Sequence, residues 1–188
     1  AACAPLVLLY LDASSRKTML LSLSKYSEFW RFNETLFAPL AALLGPEPAE
    51  LSKIGQRSPK VRADKTVLIG VRNLDNQERQ LIREAKIHVF TMKDIDRHGI
   101  AAVMKRAISL AGKDTRGIHL SFDVDVCDPA IAPGVGTPVK GGLDYREAHL
   151  LMEIVADSGL LTALDLVEVN PTLDVRNATA QLGTELAL

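Results

Sequence analysis

Five short apolar runs, separated by stretches with helical spacing, constrain this chain more than any other feature. The runs are Leu6–Leu11, Thr66–Val71, His88–Met92, Gly117–Val124 and Leu161–Val169. Leu6–Leu11 is continuously apolar, as suits a strand buried on both faces, and the other four runs are of strand length. Asn76–Lys86 follows Asp75, which can cap a helix, and carries acid in its first turn. Ile100–Ala111 places apolar residues at helical spacing and stops at Gly112, while Tyr145–Asp157 and Ala178–Leu188 complete the helical set. Strands that alternate with helices predict an α/β three-layer sandwich, a mainly parallel sheet flanked by helices. Residues 1–188 read as a single domain, in which 14–37 is atypical, with neither clean periodicity nor turn chemistry.

In such sheets ligands gather beyond the carboxyl ends of the strands. Asp125, Glu168 and the loop Arg72–Asp75 all fall at such ends. The run Ser121-Phe122-Asp123-Val124-Asp125-Val126-Cys127-Asp128-Pro129 concentrates carboxylates there. Strand alternation predicts Asp123 and Asp125 on one face, about 7 Å apart at their Cα atoms. With the oxygen-rich loop Ala132–Pro138 beyond them, they suit divalent cations. Two like charges buried so close are costly unless a cation compensates them. His119, on the same apolar run, reads as a core histidine and Cys127 as a small packed residue.

Charge gives no sign of a nucleic-acid or acidic-membrane partner, with 22 basic against 23 acidic residues. No stretch is long enough to span a bilayer, and the opening residues lack the basic start of a signal peptide. Cys3 and Cys127 do not make a disulfide framework, which favours a cytoplasmic setting.

Several ordered stretches resemble the arginases, the ureohydrolase family that cleaves L-arginine to ornithine and urea. They are Val67–Asp75, His119–Asp125, Pro133–Pro138, Gly141–Glu147 and Glu168-Val169-Asn170-Pro171, within a span from about Ile54 to the end. The resemblance implies a binuclear Mn²⁺ centre with Asp12, Asp123 and Asp125 among its ligands. It implies that Glu168 pairs with the substrate guanidinium as the catalytic-site carboxylate, with Thr137 beside it. Asp75 and Glu78 would help hold the α-amino end of arginine. A metal-bridging hydroxide attacks the guanidinium carbon in that chemistry. The resemblance also implies a homo-oligomer, trimer or hexamer, with Arg146 and Glu147 as candidates for the subunit contact.

The amino-terminal motifs depart from the family. Where arginases carry Asp-Ala-His-x-Asp, this chain has Asp12-Ala13-Ser14-Ser15-Arg16, so serine and arginine stand at two ligand positions. A guanidinium there repels a metal ion. The proton-shuttle segment aligns best with Asn33–Pro39, where Leu36 replaces histidine. The expectation is little or no arginase activity from the chain as written. Three explanations stay open: a fragment or faulty stretch around residues 14–37, a non-catalytic arginase-like subunit or binding protein that has lost the binuclear site, or an enzyme with a rebuilt metal site.

Overall fold

The computed structural model describes residues 6–9, 61–72, 74 and 76–188. Asp12, Asp75 and the segment 14–37 lie outside the described residues, as does the side chain of Glu78. The elements in order are β1 (Leu6–Leu9), β2 (Val67–Val71), α1 (Asn76–Ala85), β3 (His88–Thr91), α2 (Met92–His98), α3 (Ile100–Gly112), β4 (Ile118–Asp123), α4 (Tyr145–Asp157), β5 (Leu161–Val167) and α5 (Ala178–Ala187). Single 3-10 turns occupy Ala63–Lys65 and Val124–Val126.

Among the described residues the strands form one five-stranded sheet in the order β3-β2-β1-β4-β5. β2 pairs parallel with β3, and β4 with β5. β1 departs from the expectation of a parallel strand: it is antiparallel to both neighbours, with Leu6 opposite Ile69 and Val7 opposite Ser121. An apolar run has no direction written in it, and either sense satisfies its backbone donors and acceptors. The other four strands share one direction, so the sheet remains mainly parallel. Leu9, at the carboxyl end of β1, lies opposite His119 in the amino-terminal half of β4.

Helices cover both faces. Val67, Ile69, Ile118, Leu120 and Phe122 meet Ile95, Val103, Met104, Leu151, Val155 and Leu182 in the larger core, drawn from α2, α3, α4 and α5. Leu68 and Val71 face the other way and pack with Ile82 of α1. Burying each of these large aliphatic or aromatic side chains contributes roughly 1.5–3 kcal/mol. This is the three-layer α/β arrangement that the alternating pattern predicts.

Two helix starts are fixed by reciprocal caps. At α4, Glu147 N donates to Asp144 Oδ1 (2.7 Å) and Asp144 N to Glu147 Oε2 (3.0 Å). At α2, Thr91 N donates to Asp94 Oδ2 (2.7 Å) and Asp94 N to Thr91 Oγ1 (3.3 Å). The latter closes a short helix that apolar periodicity misses, although Thr91-x-x-Asp94 is a capping pattern in the sequence.

A candidate carboxylate site at the strand ends

β4 ends at Asp123, and its carboxylate caps the turn that follows, accepting from Asp125 N at 2.9 Å. Asp125 therefore sits in the 3-10 turn and not on a continued strand, so strand alternation is not what places it. A short polar side chain at a strand end competes for backbone donors and turns the chain. Both aspartates are buried, at 7% and 2% exposure.

Gly70 makes room for this turn. The β2–β3 register shifts between Ile69 and Val71, and Gly70 takes φ +78°. A Cβ on Gly70 would lie 2.5 Å from Val126 Cγ2, so only glycine lets β2 pass so close beneath the turn that bears Asp125.

Glu168 follows β5 with φ +69°, a left-handed conformation uncommon for a side-chain-bearing residue. Such strain persists only where surrounding structure imposes it, and it collects at binding and catalytic sites. An antiparallel bridge between Val135 and Val169 ties the loop 133–138 to this strand end, and Asn170 N donates to Gly134 O at 2.8 Å. A Cβ on Gly136 would lie 3.6 Å from Glu168 Oε2, which places that carboxylate against the loop.

Thr137, in that loop, donates its hydroxyl to Asp125 Oδ2. Further along, Asp128 accepts from Ala130 N (2.9 Å) and Gly141 N (2.8 Å), while Leu143 N donates to Val126 O and Asp128 N to Leu143 O. Arg72, immediately after β2, donates from Nη1 to Val139 O (2.9 Å) and from Nη2 to Asp125 O. Sequence reasoning named the loop at Arg72 but gave this guanidinium no role.

The electrostatics follow from burial. Loss of solvent, reinforced by the charge of Asp125 and then Glu168, pushes the Asp123 carboxyl well above the ordinary carboxylate range. Burial also raises Asp125, opposed by the Thr137 hydrogen bond and the Arg72 charge. Glu168 is raised by burial first and the Asp125 charge second. Asp128, in contrast, is held low by the backbone N–H groups of Ala130 and Gly141. The three carboxyls thus share a raised proton affinity, and a nearby positive charge would relieve their desolvation and mutual repulsion.

The other candidates named from the sequence fall elsewhere. His119 is 1% exposed on β4, its Nε2 2.8 Å from Asp165 Oδ2 of β5. Cys127 is buried. The Glu147 carboxylate closes the α4 cap, and Arg146 lies 4.0 Å from exposed Glu153.

Comparison with known proteins identifies the family of this α/β chain. The Arginase family model matches residues 49–188. The chain belongs to the arginase family. It is 50% identical over 148 residues to the arginase of Bacillus caldovelox, covering 79% of this chain and 50% of that protein. It is 45% identical to the arginase of Bacillus subtilis (strain 168), covering 79% of this chain and 50% of the relative. The solved structure of the Bacillus caldovelox arginase superposes with TM-score 0.77 at 50% identity, covering 79% of this chain and 50% of that one. The Entamoeba histolytica arginase, solved with L-ornithine, gives TM-score 0.71 at 31% identity and the same coverage. The chain thus spans about half the length of the curated relatives it matches.

The arginase family is metal-dependent. Asp123 and Asp125 offer hard oxygen donors of the right kind, but Thr137 already engages one oxygen of Asp125. Among the described residues no group of three or more His, Cys, Asp or Glu side chains could hold a metal ion. Among the described residues these donors fit part of one cation site. No helix among the described residues is long and apolar enough to cross a membrane.

Proposed function

We propose that this chain carries the guanidinium-facing part of an arginase-type hydrolase site. The family reaction is Mn²⁺-dependent hydrolysis of L-arginine to L-ornithine and urea. The observation that carries the reading is the meeting of Asp123, Asp125, Thr137 and the strained Glu168 at the carboxyl ends of β4 and β5, in a chain of the arginase family. Glu168 presents a half-buried carboxylate whose planar pair of oxygens suits a planar guanidinium bidentately. Thr137 holds Asp125 in one rotamer through its hydroxyl. Asp123 and Asp125 are the manganese ligands of this reading, joined by Asp12, and Asp75 and Glu78 serve the α-amino end of the substrate. Residues 1–188 act as one domain, in a cytoplasmic homo-oligomer.

Possession of a site does not bring activity with it. Ser14, Arg16 and Leu36 stand where the family has two metal ligands and a proton shuttle, so the chain alone releases little or no urea. A second reading, a non-catalytic arginase-like subunit or binding protein that has lost the binuclear site, is favoured by Ser14 and Arg16 at two ligand positions of the family motif. Calorimetric titration of Mn²⁺ into the metal-stripped chain, paired with a urea-release assay on the same sample, discriminates. One weak site abolished by Asp125→Asn, without urea, supports an incomplete arginase site. Two tight sites with urea production would refute the predicted inactivity. Indifference to Mn²⁺ and to arginine would leave the non-catalytic reading.

A further inference from the structure

We infer that Arg72 is a positioning residue of the carboxylate site: one guanidinium fixes the backbone on both sides of the Thr137–Asp125 hydrogen bond. The inference rests on reading Asp125 as a site carboxylate. Nη2 donates to the carbonyl of Asp125 itself, and Nη1 to the carbonyl of Val139, two residues beyond Thr137. The hydrogen bond from Thr137 Oγ1 to Asp125 Oδ2 closes the arrangement. Asp125 and Thr137 belong to separate segments, and each has its backbone tied to the same planar group.

Packing shows that the guanidinium has a built seat. A Cβ on Gly142 would collide with Arg72 Nη1 and with the carbonyl carbon of Cys127. Only glycine at 142 therefore lets the 139–143 loop close over the fork while Leu143 completes its backbone bonds to Val126 and Asp128. Arg72 itself leaves the end of β2, so its bonds span 53 and 67 residues of chain. The fork presents several N–H donors in one plane at fixed separation. A lysine ammonium supplies equal charge from a single point and cannot bridge both carbonyls in the same way.

The test uses the full chain with methyl-labelled threonine and three variants, Arg72→Lys, Arg72→Met and Gly142→Ala. The first readout is the Thr137 methyl resonance, with Thr115 and Thr162 as remote controls. The second is Mn²⁺ affinity, measured from free Mn²⁺ by electron paramagnetic resonance. The expected result is that Arg72→Lys and Arg72→Met both move the Thr137 resonance and leave the controls in place. Where wild type binds Mn²⁺, both weaken it at least tenfold. Gly142→Ala keeps the charge but displaces the fork, so it moves the same resonance and serves if the Arg72 variants do not fold. A wild-type Thr137 resonance in Arg72→Lys, or full restoration of Mn²⁺ affinity by lysine, overturns the inference. Absence of Mn²⁺ binding in wild type refutes the metal-ligand reading of Asp125, while the Thr137 resonance still decides the role of Arg72.

Discussion

Replacing Thr137 by valine removes one hydroxyl while nearly keeping the side chain's shape. That hydroxyl donates to Asp125 Oδ2, and Asp125 is 2% exposed, so little water can take its place. A hydrogen bond to a charged, buried acceptor contributes about 1.5–3 kcal/mol, against roughly 0.5–1.5 kcal/mol for a neutral pair. For a chain of this size, the larger figure corresponds to a fall of roughly 3–12 °C in thermal midpoint. The cost also depends on pH, because Asp125 titrates. Burial raises its folded-state proton affinity, and the Thr137 bond opposes that rise. A carboxyl raised on folding contributes stability that is fully present below its unfolded value and lost as pH rises through the folded one. Thr137→Val lifts Asp125 further, so the variant loses more stability than wild type on going from acid to neutral pH. The assay is thermal denaturation of both proteins, metal-free, at about pH 4 and about pH 7.5, with Thr137→Ser as the control that keeps the hydroxyl. The deficit should at least double at the higher pH and vanish in the serine variant. An equal deficit at both pH values would refute the argument, since it would mean that the hydroxyl does not answer to the charge on Asp125.

The metal-free chain should lose stability as pH rises from the acid range through the raised folded values of Asp123 and Glu168, and thermal scans across that range measure this component. Asp123→Asn should raise the midpoint of the metal-free chain at neutral pH, since the amide still accepts from Asp125 N without the buried charge, and should abolish any stabilisation by Mn²⁺. Glu168→Gly should stabilise by about 1 kcal/mol through relief of its left-handed backbone, while removing the carboxylate proposed to pair with a guanidinium; denaturant midpoints and arginine titration read the two effects separately. Ser14→His combined with Arg16→Asp should strengthen Mn²⁺ binding at least tenfold if those positions join Asp123 and Asp125; unchanged calorimetric affinity would reject that placement.

The strands and long helices were legible because burial leaves a periodic trace. Tyr145–Asp157 has the bounds that the spacing predicts, and β2 to β5 differ from the apolar runs only at their ends. Short α2 was hidden, since seven residues hold too little periodicity to stand out, and only its cap betrays it. The direction of β1 could not be read from Leu6–Leu9, because hydrophobicity is indifferent to chain sense. At the candidate site, Asp123, Asp125, Thr137 and Glu168 were singled out by their ordered motifs, and the structure brings them to neighbouring strand ends. Arg72 and Gly142 were not singled out, because their meaning lies in contacts between segments distant in sequence.

The placement of β1 has a consequence for how the molecule assembles. β2–α1–β3 and β4–α4–β5 are parallel pairs closed by local connections, and each can form from neighbouring sequence. Among the described residues no ladder joins β2 to β4; four residues from far earlier in the chain lie between them. Closing the sheet therefore requires contacts across long stretches of chain, and contacts so distant in sequence form slowly. Until Leu6–Leu9 inserts, both β2 and β4 present unpaired backbone along apolar strands, the surface on which chains associate with one another. Insertion of the short strand Leu6–Leu9 is thus the step that closes the sheet and covers both edges.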